Sequence, residues 1–299
     1  MRRSIIVLTV IILLASACSP LASQSNPKTG PIVLASTTLL ADMARNVAGD
    51  RVQVDSLLPI GADPHGYQPT PSDVVKISKS TLLIVNGLGY EQFMNTLLEN
   101  AGGNRDVIEA TAGLSPRKDA GLEHGIDPHM WLDPNNVIVY VENIRDALIH
   151  ADPNGVAIYK ANADAYIAQL KTLDTWIIEQ VNRIPATRRL LVTNHEALGY
   201  FADRYGFTVI GAVVPGFSTD AAPSAQQMAG LIDLIKSSGA PAIFLGQVES
   251  DTLAAQIANE TSAKVVSDLY LESLTEGTPA ATYIDMMKHN ATRIVEALK

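Results

Sequence analysis

Along most of the chain, short runs rich in β-branched and aliphatic residues alternate with longer stretches whose apolar positions recur at helical spacing. The short runs predict strands at 32–36, 52–58, 82–86, 106–109, 190–193, 208–213, 242–245 and 264–267. Helical stretches lie between most of them. Strand–helix alternation of this kind argues for parallel sheets with helices on both faces. The series breaks in the middle. Residues 135–150 read as helix, and after Ala151-Asp152-Pro153-Asn154-Gly155 the pattern is helical again to about Ile184. Within that second stretch Ile158, Ala165, Ala168, Leu173, Trp176, Ile177 and Val181 recur at roughly helical spacing, and Pro185 ends the run. A helix of about 30 residues spans about 45 Å, enough to run along a two-lobed protein and join its halves. The expected fold is α/β: two lobes, each a mostly parallel sheet flanked by helices, joined by one long connecting helix. The expected boundaries are 31–152 for the first lobe, 153–184 for the connecting helix and 185–299 for the second lobe.

Residues 1–17 stand outside this pattern. Arg2 and Arg3 form a basic start, residues 5–14 form an apolar run interrupted by Thr9, and Ala15-Ser16-Ala17 precede Cys18. A run this short, with these flanks, reads as a cleaved export signal and not as a membrane span. The small residues before Cys18 resemble a bacterial lipoprotein cleavage box, which would make Cys18 an acylated N-terminus and residues 18–30 a flexible lipidated tether. A plain signal peptide with a chance cysteine is the alternative. Cys18 is the only cysteine, so the chain has no disulfide framework and no thiolate metal site. Removing Arg2 and Arg3 leaves 20 basic side chains against 31 acidic ones. An acidic exported protein is a poor nucleic-acid binder. Net acidity mildly favours cations without selecting one.

The chemistry concentrates in histidines. Of six in the chain, two sit in the same unusual context: Asp63-Pro64-His65 and Asp127-Pro128-His129. A proline-stiffened loop that carries an imidazole beside a carboxylate suits a metal site, because a neighbouring acceptor can fix the ring tautomer. Two ordinary turns with solvated histidines are the plainer reading. His65 follows the strand at 52–58, in a loop whose prolines and glycines fix the backbone, and Ser72 or Asp73 can cap the next helix. Trp131 and Leu132 are expected to be buried and to hold the His129 loop rigid, with Asp133-Pro134 starting a helix. His195 follows the strand at 190–193, and Asp268 follows the one at 264–267. Ligands of open α/β sheets bind outside the carboxyl ends of the strands. Three imidazoles and a carboxylate from strand ends make a plausible tetrahedral set for Zn²⁺, although they are widely dispersed in sequence. Asp63 and Asp127 read equally as acceptors behind the histidines or as local turn formers. His150 near a helix end reads as structural or solvated, and His289 in the last helix reads as a surface residue. His124 is a solvated loop residue or an auxiliary metal-catching one, and Glu196 is a possible competitor for the ion beside His195. Tyr200 and Phe201 read as core.

The segments 61–73 (Gly-Ala-Asp-Pro-His-Gly-Tyr-Gln-Pro-Thr-Pro-Ser-Asp), 127–136 (Asp-Pro-His-Met-Trp-Leu-Asp-Pro-Asn-Asn), 194–206 and 267–270, with the tail 283–290, resemble the zinc- and manganese-binding solute-binding lipoproteins of bacterial ABC importers, the ZnuA/TroA-like family (cluster A-I). The resemblance runs in order from about residue 31 to the C-terminus. It implies two lobes joined by a long helix and a metal in the cleft, held by His65 and His129 from one lobe and His195 and Asp268 from the other. Two departures stand out. Zinc-specific members often carry a histidine-rich loop before the second ligand, where residues 115–126 here hold only His124. Many members have a glutamate soon after the strand at 242–245, where this chain has Gly246-Gln247 and then Glu249, which is left without a role.

The resemblance implies that manganese-dedicated members often place a glutamate at the third ligand position, where this chain has His195. Imidazole suits zinc and oxygen donors suit manganese, so the expected cargo is Zn²⁺, with Mn²⁺ or mixed binding as the alternative. The expected function is capture of the ion and delivery to an ABC permease in the membrane. The chain would be an exported monomer held to the outer face of the bacterial cell membrane by acylated Cys18, or periplasmic, and no enzyme. Binding requires neutral imidazoles and an ionised carboxylate, so affinity should fall towards the histidine pKa of about 6.5. Two rivals remain at this stage. An exported zinc hydrolase would use Glu196 as base, but His195-Glu196-Ala197-Leu198-Gly199 lacks the second histidine of H-E-x-x-H, and a fourth ligand would close the site. A surface adhesin stabilised by metal is compatible with the same lipid tether.

Overall fold

The computed structural model describes residues 30–117, 125–219, 222–247, 249 and 251–299. The export signal, Cys18, nearly all of the tether and His124 lie outside the described residues. Among the described residues, eight strands form two sheets of four, in orders β2-β1-β3-β4 and β6-β5-β7-β8. The first holds β1 (Ile32–Ala35), β2 (Gln53–Ser56), β3 (Leu82–Val85) and β4 (Asp106–Glu109). The second holds β5 (Leu190–Thr193), β6 (Thr208–Ala212), β7 (Ala242–Gly246) and β8 (Lys264–Leu269). All six pairings are parallel. Each expected strand is present: those at 106–109 and 190–193 keep the expected ends, and the others are shifted by a residue or two at one end or both. The shift that matters is at β8, which runs on to Leu269 instead of stopping at Ser267.

The sheets are covered on both faces. β3 (Leu-Leu-Ile-Val) is buried along its whole length, as a central parallel strand must be. On one side of the first sheet, Leu34, Leu57 and Leu83 meet Ile77 of α2 (Pro71–Lys79) and Leu97 of α3 (Met94–Ala101). On the far side of the second, Val192 and Ile243 meet Leu231 and Ile235 of α7 (Ala225–Ser238) and Ile257 of α8 (Thr252–Thr261). The remaining faces share one continuous core. It takes in α1 (Thr38–Ala48), α4 (Pro134–Ala151), α5 (Val156–Val181), α6 (Gly199–Tyr205) and α9 (Tyr283–Leu298).

Helix starts follow side-chain chemistry. Thr37 accepts from Leu40 N–H at α1, and Asp133 accepts from Asn135 N–H at α4, with Pro134 in the first helical position. At α2 the cap is Thr70, not Ser72; Asp73 is its third-position partner and accepts from Thr70 N–H at 2.8 Å. The connecting helix α5 is shorter than 153–184. Pro153–Gly155 form a separate 3-10 turn, and the helix ends at Val181, three residues before Ile184. Buried polar groups pin α5 at both ends. Near its start Arg51 forks onto Asp152, which also accepts from Tyr159 Oη at 2.7 Å. Towards its end Asp174 accepts from Arg204 of α6 and from Tyr205 Oη. No described helix is long and apolar enough to cross a membrane.

Candidate metal centre

Four loops leaving the carboxyl ends of strands converge between the sheets. His65 follows β2, His129 lies beyond β4 at the head of the Met130–Leu132 turn, and His195 follows β5 by two residues. The fourth group is Glu272, three residues past β8. His65, His129, His195 and Glu272 each offer one ligand atom, all within 4.8 Å of one another.

The spacing is informative. Glu272 Oε1 lies 3.3 Å from His129 Nε2, 3.4 Å from His195 Nε2 and 3.8 Å from His65 Nε2. His129 Nε2 lies 3.4 Å from His65 Nε2 and 3.2 Å from His195 Nε2. A tetrahedron with arms of about 2.0–2.1 Å has edges of about 3.3–3.4 Å. The side chains are 5% exposed at His65, 1% at Glu272 and 0% at His129 and His195. A cavity of about 400 Å³, lined by Leu88, Tyr90, Ile126, Phe217 and Ser218, reaches His65 from outside.

Asp268 is not part of this set, and the expectation is corrected. Because β8 extends to Leu269, Asp268 remains within the strand and faces α9. Its carboxylate pairs with Arg293 at 2.8 Å and is 45% exposed. The chain then turns. Leu271 and Leu274 are buried, and Trp131 Nε1–H donates to Leu271 C=O at 2.9 Å. That fixation delivers Glu272 inward. The sequence signal was a lone carboxylate inside Leu269-Tyr270-Leu271-Glu272-Ser273-Leu274, an apolar segment in which a charge needs a reason to be buried.

The surrounding contacts hold the rings. Asp127 Oδ1 accepts from His129 N–H at 3.0 Å and sits 2.9 Å from His129 Nδ1, so it is both turn former and ring acceptor. Asp63 serves its turn through His65 N–H, and its other oxygen accepts from Thr219 Oγ1–H at 2.6 Å. Glu249, without a role in the sequence reading, faces His195 Nδ1 at 2.5 Å. Tyr90 Oη–H donates to Glu272 Oε2. Tyr200 and Phe201 are core, as expected, but Tyr200 Oη–H also donates to Asp127 C=O. Arg117 joins this group, with Nε 3.7 Å from Asp127 Oδ2 and Nη1 donating to Gly199 C=O. The approach needs glycine at 199: a Cβ there would lie 2.8 Å from Arg117 Nε and 2.9 Å from Asp127 Oδ2. Glu196 stands outside the four-residue cluster; its Oε1 accepts from Gly216 N–H. His150 is in the last turn of α4. His289 is less solvated than expected, with a 17% exposed side chain and Nε2 at 2.8 Å from Asp268 C=O.

Electrostatics follow from this packing. Burial alone would keep Glu272 neutral, but the charge of His129 and hydrogen bonds from His129, His195 and His65 hold its carboxyl well below the ordinary value. Burial opposes charge on His195, yet its bonds to Glu249 and Glu272 outweigh that and raise it to about 10. His129 is likewise raised: Glu272 and Asp127 overcome its desolvation. Burial pushes Tyr90 well above 10, so it stays a neutral donor. Without a cation, the site stores protons against its own carboxylate.

Three imidazoles and one carboxylate that converge between two α/β lobes make a donor set able to hold a cation. Residues 33–297 match the family model described as ZnuA, zinc-uptake complex component A, periplasmic. The chain belongs to this family, whose members are the metal-binding solute-binding proteins of ABC importers and not enzymes. It is 37% identical to the manganese-binding lipoprotein MntA of Halalkalibacterium halodurans, over 98% of this chain and 97% of that one. It is 36% identical to the iron-binding protein YfeA of Yersinia pestis, over 88% and 85%. Among solved structures, the periplasmic zinc-binding protein TroA of Treponema pallidum superposes with a TM-score of 0.83 at 29% identity, covering 90% of this chain and 99% of that one. A manganese-bound periplasmic metal-binding protein of Candidatus Liberibacter asiaticus superposes with a TM-score of 0.82 at 30% identity, covering 90% and 100%.

Proposed function

We propose that this chain captures Zn²⁺ outside the cytoplasm, holds it through His65, His129, His195 and Glu272, and hands it to a membrane ABC permease. The observation that carries the reading is the donor set itself. Four convergent atoms, three of them imidazole nitrogens, lie within 4.8 Å of one another, and four of their separations, 3.2 Å, 3.3 Å, 3.4 Å and 3.4 Å, are close to the edge lengths of a tetrahedral zinc site. Nitrogen donors favour zinc over manganese, and buried carboxylates behind His129 and His195 strengthen both rings as ligands. The lipoprotein names of several relatives support export and anchoring through acylated Cys18, and in this reading the chain acts as a monomer. Lobe one would run over 31–152 and lobe two over 185–299.

The second reading is manganese or mixed cargo. It is favoured by the names of relatives such as MntA and by the manganese-bound structural neighbour. Zinc outranks manganese in intrinsic affinity at almost any nitrogen–oxygen site, so tight zinc binding alone does not decide between them. The deciding experiment is elemental analysis of protein purified without added metal, for the native chain and for His195→Glu. Zinc in the native protein, shifting towards manganese in the variant, is the expected result. Manganese in the native protein would overturn the zinc assignment. Unchanged zinc and manganese accumulation by cells lacking the chain would overturn transport altogether.

A further inference from the structure

The loop after β7 contains a carboxylate that the capture reading does not require, in a place shaped to receive it. Glu249 follows β7 by three residues, and its side chain is 1% exposed. Its two oxygens have different partners. Oε2 accepts from Gly246 N–H, and Oε1 lies 2.5 Å from His195 Nδ1. The carboxylate also lies over Gly246, which has no side chain. A Cβ on Gly246 would lie 3.2 Å from Glu249 Cδ and Oε2, tighter than ordinary packing, so the Glu249 side chain occupies the space a side chain at 246 would need. Glu249 therefore doubles back onto its own loop and closes a ring of contacts: Gly246 backbone, Glu249 carboxylate, His195 imidazole.

An imidazole has two nitrogens, and only one can face the ion. A carboxylate acceptor at Nδ1 requires the proton there and leaves the Nε2 lone pair for the cluster. His129 has the same arrangement with Asp127, supplied by its own turn two residues away. At His195 the acceptor is not the adjacent Glu196, whose Oε1 accepts from Gly216 N–H, but Glu249, which reaches the ring from 54 residues further along the chain. We propose that Glu249 is the positioning residue for the third imidazole: seated over Gly246, it fixes the tautomer and tilt of His195 and thereby slows loss of the bound cation. The inference rests on the capture reading for its consequence and on the hydrogen bond alone for its geometry.

The test uses the mature chain, native and with Glu249→Ala and Glu249→Gln. The first measurement is the downfield ring N–H resonance of His195, in metal-free and zinc-loaded protein. The second is the Zn²⁺ affinity and dissociation rate, by competition with a chromophoric chelator. Melting of the metal-free protein checks folding. Native protein should show an exchange-protected His195 Nδ1–H signal in both states. Glu249→Ala should lose it and bind zinc about 10- to 100-fold more weakly, the usual effect of removing a carboxylate behind a ligating histidine. Glu249→Gln keeps one acceptor oxygen but loses the bond from Gly246 N–H, so it should retain the signal and fall between the two. Affinity and off-rate within twofold of native in a folded Glu249→Ala protein would overturn the proposal, whatever the resonance does. Native protein that takes up no zinc while showing the protected signal would sink the capture reading instead, and leave the positioning contact standing.

Discussion

Loading the site means expelling protons, and Glu272 governs how many. With His195 raised to about 10, the metal-free ring is cationic at pH 7, and removing its proton there costs about 4 kcal/mol. His129 is shifted in the same direction. Apparent zinc affinity should therefore climb by at least about one decade per pH unit from pH 7 to pH 9, one decade per proton released. The rise continues where ordinary histidines have already finished titrating. Glu272→Gln removes the charge that faces both rings, while Glu249 and Asp127 remain. The slope should then fall by up to about one proton, alongside a weaker absolute affinity. Chelator competition across pH 6–9 measures the slope, and calorimetry in two buffers of different ionisation enthalpy counts the protons. Stability runs the opposite way. A histidine raised on folding stabilises the metal-free protein fully below pH 6.5, and the benefit disappears as pH rises through about 10. A native affinity that is flat above pH 7.5, with no proton release, would refute this account of the site's charge.

Two further outcomes follow from the geometry. Asp268→Ala should leave zinc affinity within about twofold and cost at most about 1 kcal/mol, because its partly exposed pair with Arg293 is worth little, whereas Glu272→Ala should lose at least tenfold in the same titration. Asp42, which accepts from Tyr283 N–H at the start of α9, is raised by burial to about 6; in EDTA, native protein should gain up to about 3 kcal/mol relative to Asp42→Asn between pH 7 and pH 4, read from urea midpoints, and a pH-independent difference would refute the shift.

The architecture was legible because the central strands of a two-face-covered parallel sheet, such as β3 and β7, are short apolar runs, and the regular strand–helix alternation carries the more polar edge strands with them. Three site histidines were legible for a related reason: they are rare residues in stiff loops, two in repeated Asp-Pro-His turns and one two residues after β5. Asp268 misled because strand ends are the least certain part of such a reading. Two more residues in β8 kept that carboxylate on the strand and brought Glu272 to the turn. The sequence also offered no way to see that Glu249 folds back over Gly246, or that Tyr90 donates to Glu272 across about 180 positions. Those contacts depend on how two loops meet in space, which no local periodicity encodes.

The apolar core that runs unbroken from α1 through α5 to α9 has a thermodynamic corollary. Both halves of the cage are seated on the same continuous interior, so their separation is decided when the polypeptide folds, well before any ion arrives. The ordering entropy of the four donors is spent at that earlier moment. Capture should then bury little fresh hydrocarbon, and its heat-capacity change should be small beside that of solute binders that must clamp shut.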